Sequence, residues 1–429
     1  MEKQTILAIS IFLLTYGVII SEKIHRTIVA MAGGMLVIIL GIVDQETAIQ
    51  HIDFNTLGLL IGMMIIVGIT RKTGLFNYVA IVAAKKAKGD PVVLLVLLGI
   101  VTAVFSAFLD NVTTVMLMVP VTFSITRRLQ INPEPYLITE IIASNVGGTA
   151  TLIGDPPNIM IGSAVTEFSF LSFIDNLAFV SSVTLVVMLG ILFVLYRKQL
   201  KTTAGRKAEL MRLDEKQELK NKILLKQSIW ILGLTIAGFF VHQLIHLESA
   251  TVALGGAVAL LLLTSRTNHD LERAFSRVEW GTIFFFAGLF VLVSGLVETG
   301  IIKRLAQSAL ELTGGDLTVT AILVLWLSAL ASAFVDNIPF VATMIPMIQD
   351  MGTMGINNLE PLWWSLALGA CFGGNGSLVG ASANLIVAGL AAQEGVSISF
   401  LRFLAVGFPL MLISVCIATV YVYVRYLMF

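Results

Sequence analysis

The sequence predicts an all-α polytopic membrane protein made of two inverted-topology repeats. About ten transmembrane helices are expected, with two re-entrant hairpins and two broken helices. Three observations carry that reading. The chain has 429 residues, 57% hydrophobic and only 13% charged, about half the charged share of soluble domains. Its Lys and Arg residues fall mostly on one side of the apolar runs. Its two halves repeat each other at a constant spacing.

Composition excludes other classes. A formal net charge of +0, from 27 basic and 27 acidic residues, leaves no basic excess for nucleic acid. Two cysteines, Cys371 and Cys416, make neither a disulfide scaffold nor a cysteine metal cluster. The five histidines fall in loops or at helix ends, so no metal and no resident cofactor are expected. The apolar runs are continuous, not alternating, which excludes an outer-membrane barrel.

A helix needs roughly 20 apolar residues to cross the hydrocarbon core. Such runs lie at 5–20, 27–43, 55–70, 136–166 (broken), 174–196, 227–245, 250–264, 281–297, 361–392 (broken) and 401–424. Glu2 and the lack of a small-x-small site before Glu22 and Lys23 argue against a cleaved leader. Residues 197–226 form the longest polar stretch, with ten Lys or Arg against four acids, and read as a solvated linker helix. Short basic loops stay cytoplasmic. With the linker inside, 23 of the 27 basic residues fall inside, and only Lys3, Lys303, Arg304 and Arg425 fall outside. The expectation is a multi-pass protein of the cell membrane with both termini outside. Repeat 1 spans 1–196, the cytoplasmic linker 197–226 and repeat 2 227–429. Stretches 74–88 and 300–312 read as amphipathic helices at opposite faces.

The repeat is visible by subtraction. Ser106-Ala-Phe-Leu-Asp110-Asn111 returns as Ser332-Ala-Phe-Val-Asp336-Asn337, an offset of 226. The same offset pairs Gly62 with Gly288, Pro120 with Pro346, Gly147-Gly148 with Gly373-Gly374, and Asn158 with Asn384. Five crossings per copy is an odd number, so the second copy lies upside down. Inverted repeats with interrupted helices are the architecture of secondary transporters, whose site lies near the midplane.

Stretches 91–126 and 317–348 are each interrupted by Asp-Asn. Their second apolar legs, 112–125 and 338–348, are short for a full crossing. Both are therefore expected to be re-entrant hairpins with Asp-Asn at the tip, rather than full crossings with Asp-Asn in an exposed loop. Asp110 and Asp336 also suit the N-cap position of the following leg.

The runs Asn145-Val-Gly147-Gly148-Thr149-Ala-Thr151-Leu-Ile-Gly-Asp155-Pro-Pro-Asn158 and Cys371-Phe-Gly373-Gly374-Asn375-Gly-Ser377-Leu-Val-Gly-Ala-Ser-Ala-Asn384 cannot form ordinary helix interiors. Each is expected to unwind mid-membrane. Exposed carbonyls and half-helix ends can then meet a ligand, with added polar groups from Thr149, Thr151, Asn375 and Ser377. Asn111, Thr113 and Thr114 at the first tip, and Asn337 at the second, join the candidate set. Cys371 reads as a packed small side chain or a weak soft-metalloid ligand.

An intramembrane carboxylate is costly and marks function by default. Asp110, Asp336, Asp155 and Glu140 are the candidates for proton or ion coupling. Asp155 leads, because its counterpart is Ala381 and the site is thereby asymmetric. The counterpart of Glu140 is Leu366, and Glu140 could instead be hydrogen-bonded within its bundle. No Lys or Arg lies near enough in the pattern to pair with them, so a proton, Na⁺ or tip N–H groups are the expected partners.

At Asp110-Asn-Val-Thr-Thr-Val-Met-Leu, Asn145-Val-Gly-Gly-Thr, Gly154-Asp-Pro-Pro-Asn158 and Asp336-Asn-Ile-Pro, the chain resembles the ion transporter superfamily. The branch is the one holding arsenite permeases, NhaD-type sodium–proton antiporters, plant silicon efflux transporters and the melanosomal P protein. The resemblance covers essentially the whole chain. It implies a scaffold domain, a transport domain of hairpins and broken helices, a homodimer and elevator-type movement. By resemblance the tips and unwound loops form the substrate and ion sites.

The expected function is that of a secondary antiporter, not an enzyme. It would export a small metalloid such as arsenite or antimonite in exchange for H⁺ or Na⁺. Na⁺/H⁺ antiport and silicic acid efflux are the alternatives within the class. An intramembrane aspartyl protease needs a Gly-x-Gly-Asp run, which is absent. Without a P-loop run, ATP-driven transport would need a separate ATPase subunit.

Overall fold

A computed structural model describes residues 2–21, 23–265 and 267–428. Glu22, Arg266 and the outermost residues at 1 and 429, all used above to place charge or domain limits, lie outside them. All regular secondary structure among the described residues is helical.

The offset of 226 reappears as geometry. Helix Phe54–Arg71 corresponds to Trp280–Glu298, Leu75–Lys86 to Ile301–Thr313, and Pro91–Phe108 to Leu317–Phe334. Asn111–Leu129 corresponds to Asn337–Thr353, Glu134–Gly148 to Glu360–Gly373, and Pro156–Ala164 to Ser382–Gln393. Side-chain bonds repeat as well. Ser106 Oγ donates to the Ser144 carbonyl and Ser332 Oγ to that of Ala370, both at 2.7 Å.

Eight helices among the described residues are long and apolar enough to cross a membrane. Two of these, Pro91–Phe108 and Leu317–Phe334, are the first legs of the hairpins. Apolar helices Arg26–Ile39 and Ser249–Thr264 are shorter. Together with the two broken helices they complete the expected ten crossings.

The helices form two packed groups. Arg26–Ile39 lies against Trp280–Glu298, and Phe54–Arg71 against Ser249–Thr264. Glycines set these distances: a Cβ at Gly288 would lie 2.7 Å from Met31 N, and one at Gly62 2.5 Å from the Ala253 carbonyl carbon. Such small-residue seams are how helices approach closely in lipid. This group holds the helices expected to form a scaffold. In the other group, Pro91–Phe108 packs on Glu134–Gly148, and Leu317–Phe334 on Glu360–Gly373.

Two expectations need correction. The second hairpin legs are not short: Asn111–Leu129 has 19 residues and Asn337–Thr353 has 17. Helix continues through Thr122, Ser124, Arg127 and Asp350, because hydropathy reports the surroundings of a helix and not its length. At the tips Asp110, Asn111, Asp336 and Asn337 are all buried, so the Asp-Asn pairs do not lie in exposed loops.

The linker is not simply solvated. Its helix Ala204–Met211 docks on the second leg of the first hairpin, and its 3-10 turn Glu215–Glu218 on helix Leu75–Lys86. Lys207 Nζ lies 3.2 Å from Asp90, Lys85 Nζ 2.6 Å from Glu215, and the Lys220 N–H donates to the Thr73 carbonyl at 3.1 Å. Charge content alone could not reveal that the cations face acids on another segment.

Candidate functional site

Each hairpin turns at its Asp-Asn because the aspartate caps the second leg. Asp110 Oδ1 accepts from the Thr113 N–H at 2.8 Å, and Asp336 Oδ1 from the Ile338 N–H at 3.2 Å. An Asp N-cap satisfies helix-end donors that lipid cannot.

The broken helices stop at Gly148 and Gly373 and resume at Pro156 and Ser382. Their glycines are there for packing. A Cβ at Gly147 would lie 2.3 Å from the Ala103 carbonyl oxygen, and one at Gly373 2.6 Å from that of Ala329. Hydroxyls pin the unwound stretches to the hairpins. Thr151 Oγ1 donates to the Ala107 carbonyl and Ser377 Oγ to that of Ala333, both at 2.5 Å. Thr149 Oγ1 donates to the Asn145 carbonyl. These three hydroxyls hold backbone, while the Thr114 hydroxyl is buried without a partner.

Asparagines join the halves. Asn145 Nδ2 donates to both Asn375 Oδ1 and Asn384 Oδ1 at 3.0 Å, and Asn145 Oδ1 accepts from Asn111 Nδ2 at 3.2 Å. Asn158 Nδ2 holds the carbonyls of Thr149 and Thr151, and Asn384 Nδ2 those of Gly374 and Ser377. Cys371 Sγ is buried 3.7 Å from Asn158 Oδ1, a packed position. All these bonds lie out of water, so each amide left without its partner costs roughly 1–3 kcal/mol.

Between the tips lies a small cavity of about 10 Å³, room for one water or small ion. Asp110, Asn111, Asp155 and Asn337 line it, as do Arg26, Glu279, Thr282 and Ser382. Asp155 is fully buried. Its Oδ1 accepts from Asn337 Nδ2 at 3.3 Å, and its Oδ2 has no partner.

The two tips and Asp155 thus meet at one cavity. Glu140 is elsewhere: it accepts from Thr122 within its own repeat. The reading that no cation could pair with the carboxylates is overturned. Arg26 Nη1 donates to Asp336 Oδ2 at 2.6 Å and to Ser382 Oγ at 2.5 Å, and Ser382 Oγ donates to Asp336 Oδ2 at 2.6 Å. Arg26 is 310 positions from Asp336, so pattern could not find it.

Glu279 was missed as well. It ends the loop before Trp280–Glu298, where it looked like an ordinary flanking charge. One signal existed: the offset of 226 makes it the twin of Asp53, which caps Phe54–Arg71.

Access is one-sided. A cavity of about 440 Å³ shares Arg26, Glu279, Thr282 and Ser382 with the tip cavity. By chain path it lies on the linker's side. A second cavity, about 430 Å³, holds Gln50, His51 and Asp53 on the far side and shares no lining residue with the tip cavity.

Comparison with known proteins agrees with this architecture. The citrate transporter family profile matches residues 16–369. An uncharacterized transporter of Mycobacterium tuberculosis is 40% identical over 99% of both chains. The P protein of Homo sapiens is 34% identical over 99% of this chain and 60% of its own length. The YdaH transporter of Alcanivorax borkumensis, described as having an unusual topology, superposes with a TM-score of 0.59 at 15% identity over 98% of both chains. MtrF of Neisseria gonorrhoeae, assigned to a class of antimetabolite efflux pumps, gives 0.54 at 13% identity over 92% of this chain and 85% of its own. These last two share the fold. The chain therefore belongs to the citrate transporter family within the ArsB/NhaD-type ion transporter superfamily, and it is a multi-pass membrane transporter, not an enzyme.

Proposed function

We propose that the chain is a secondary antiporter that exchanges Na⁺ and H⁺ at the cavity between its hairpin tips. The observation that carries this reading is fully buried Asp155, which lines a cavity of ion size and whose Oδ2 has no hydrogen-bond partner. The carboxylates of Asp110 and Asp155 line that cavity, and Asp336 of the second tip is bonded to Arg26 beside it. Such a site holds a proton or a small hard cation, whose preferred ligands are oxygens. Uncompensated burial of a carboxylate is costly enough that one of these must be supplied.

The same balance works against a polycarboxylate, so the family's description is not carried over as a substrate. Export of arsenite or antimonite is the second reading, and silicic acid the third. Both rest on the resemblance alone, since Cys371 is buried against Asn158 and the loop hydroxyls of Thr149, Thr151 and Ser377 hold backbone.

Movement follows from the packing. The scaffold is welded by glycine seams, whereas the hairpins touch it through few polar contacts, among them Arg26–Asp336 and Tyr16 Oη to the Pro339 carbonyl at 2.8 Å. We propose an elevator-type movement of the hairpin group, in a homodimer, with linker and wide cavity facing the cytoplasm.

Purified protein in liposomes, given a pH gradient, is expected to drive ²²Na⁺ against its concentration gradient. Arsenite, antimonite, silicic acid and Li⁺ are tested alongside. Metalloid flux without Na⁺ flux would replace the reading with the second or third one.

A further inference from the structure

The clasp at Asp336 crosses the boundary between the two groups. Arg26 starts a scaffold helix, whereas Asp336 caps a hairpin leg and Ser382 opens the second half of a broken helix. Any movement of the hairpin group must pull Asp336 away from Arg26. A buried cation stripped of its partner is strongly unfavourable, so the movement requires another partner that stays with the scaffold.

Glu279 meets that requirement. It begins the scaffold helix that packs on Arg26's own helix. Their ends are tied, because Thr27 Oγ1 donates to the Gly281 carbonyl at 2.8 Å. Arg26 and Glu279 line the same two cavities. Glu279 Oε2 accepts from Thr282 Oγ1 at 3.2 Å, but Oε1 is buried without a partner.

The twin on the far side shows the engaged form. Both Asp53 oxygens are used, by the N–H groups of Asn55 and Thr56, the Thr56 hydroxyl, and Ser163 Oγ at 2.7 Å. Ser163 lies on the first broken helix, and its own counterpart by the offset is Gly389. Glu279 therefore has no serine to receive, and the nearby guanidinium remains.

We propose that Arg26 is a charge switch between Asp336 and Glu279. A cation arriving among the tip carboxylates takes over Asp336, Arg26 swings to Glu279, and the hairpin group is released to move. Without the cation, Arg26 holds Asp336 and the group stays on the linker's side. Glu279 is thus a positioning residue for translocation, not a cation ligand. This inference rests on the tip cavity being the cation site.

The test separates binding from movement. In Glu279→Gln, the Na⁺-induced rise in melting temperature is expected to match wild type, while exchange in liposomes falls at least tenfold; Glu279→Asp restores most of it. Wild-type exchange in Glu279→Gln, or binding lost in parallel with exchange, overturns the switch.

A second measurement covers a poorly folding variant. Spin labels on exposed Ile39 and Leu330 report scaffold-to-hairpin distance. Asp336→Asn is expected to shift that distance without Na⁺, and added Glu279→Gln to reverse the shift. An unmoved distance overturns the switch. If wild type neither binds nor moves Na⁺ or H⁺, the site itself is misread, which Glu279 variants cannot mimic.

Discussion

Replacing Asp155 by Asn removes one charge with almost no change of shape. The amide oxygen still accepts from Asn337 Nδ2, now 3.3 Å from Asp155 Oδ1. What is lost is the free oxygen Oδ2 and its negative charge. At 4 Å and an effective dielectric near 20, a carboxylate and a monovalent cation attract by about 4 kcal/mol. That is about a thousandfold in cation affinity. Folding should not suffer, because a buried carboxylate lacking a cationic partner is itself a cost. The expected result is a melting temperature, measured without Na⁺, equal to or above wild type. The Na⁺-dependent stabilisation, about 2.7 kcal/mol at a hundred times the dissociation constant, should vanish, and exchange in liposomes with it. Wild-type exchange by Asp155→Asn would refute the assignment. Loss of exchange with a collapsed melting temperature would refute the argument about folding.

The remaining predictions concern the frame around the site. Asn145→Ala takes the partner from Asn111 Nδ2 and from Oδ1 of Asn375 and Asn384, and should cost about 2–5 kcal/mol, read as a drop in thermal stability in detergent. Gly147→Ala drives a methyl toward Ala103 backbone, 2.3 Å away, and should cost about 1–3 kcal/mol; an unchanged melting temperature would show the seam to be loose. At the linker, the Lys85 ammonium bonded to Glu215 holds that carboxyl below its ordinary range. A depressed carboxylate contributes stability above its unfolded value and loses it as pH falls through the folded one. Limited proteolysis of residues 204–218 should therefore rise only once pH drops below the ordinary glutamate range, and Lys85→Gln should expose the linker at neutral pH.

The repeat made the fold legible. A spacing of 226 that survives from Gly62 to Asn158 without a gap fixes helix against helix, and Pro91–Phe108 and Leu317–Phe334 obey it to the residue. Charge segregation then supplied the parity. The hairpin tips and Asp155 were legible because a carboxylate in an apolar run has few bland explanations. Arg26 was hidden for the opposite reason: a cation at a span's end is what every loop carries, and only folding brings it to Asp336. Glu279 was hidden among similar flanking charges. Gly147 and Thr151 were visible as oddities, but their partners, the Ala103 and Ala107 backbone, were not, since a residue that breaks a helix does not name the segment packed against it.

The most direct test of the account is to see the cation. Purified protein equilibrated with Tl⁺ in place of Na⁺, and imaged at a resolution that locates the heavy ion, should show density within coordination distance of Asp155 Oδ2, between Asp110 and Asn337. That density should disappear in Asp155→Asn. Bound Tl⁺ away from the hairpin tips, in protein that still exchanges Na⁺ for H⁺, would contradict it.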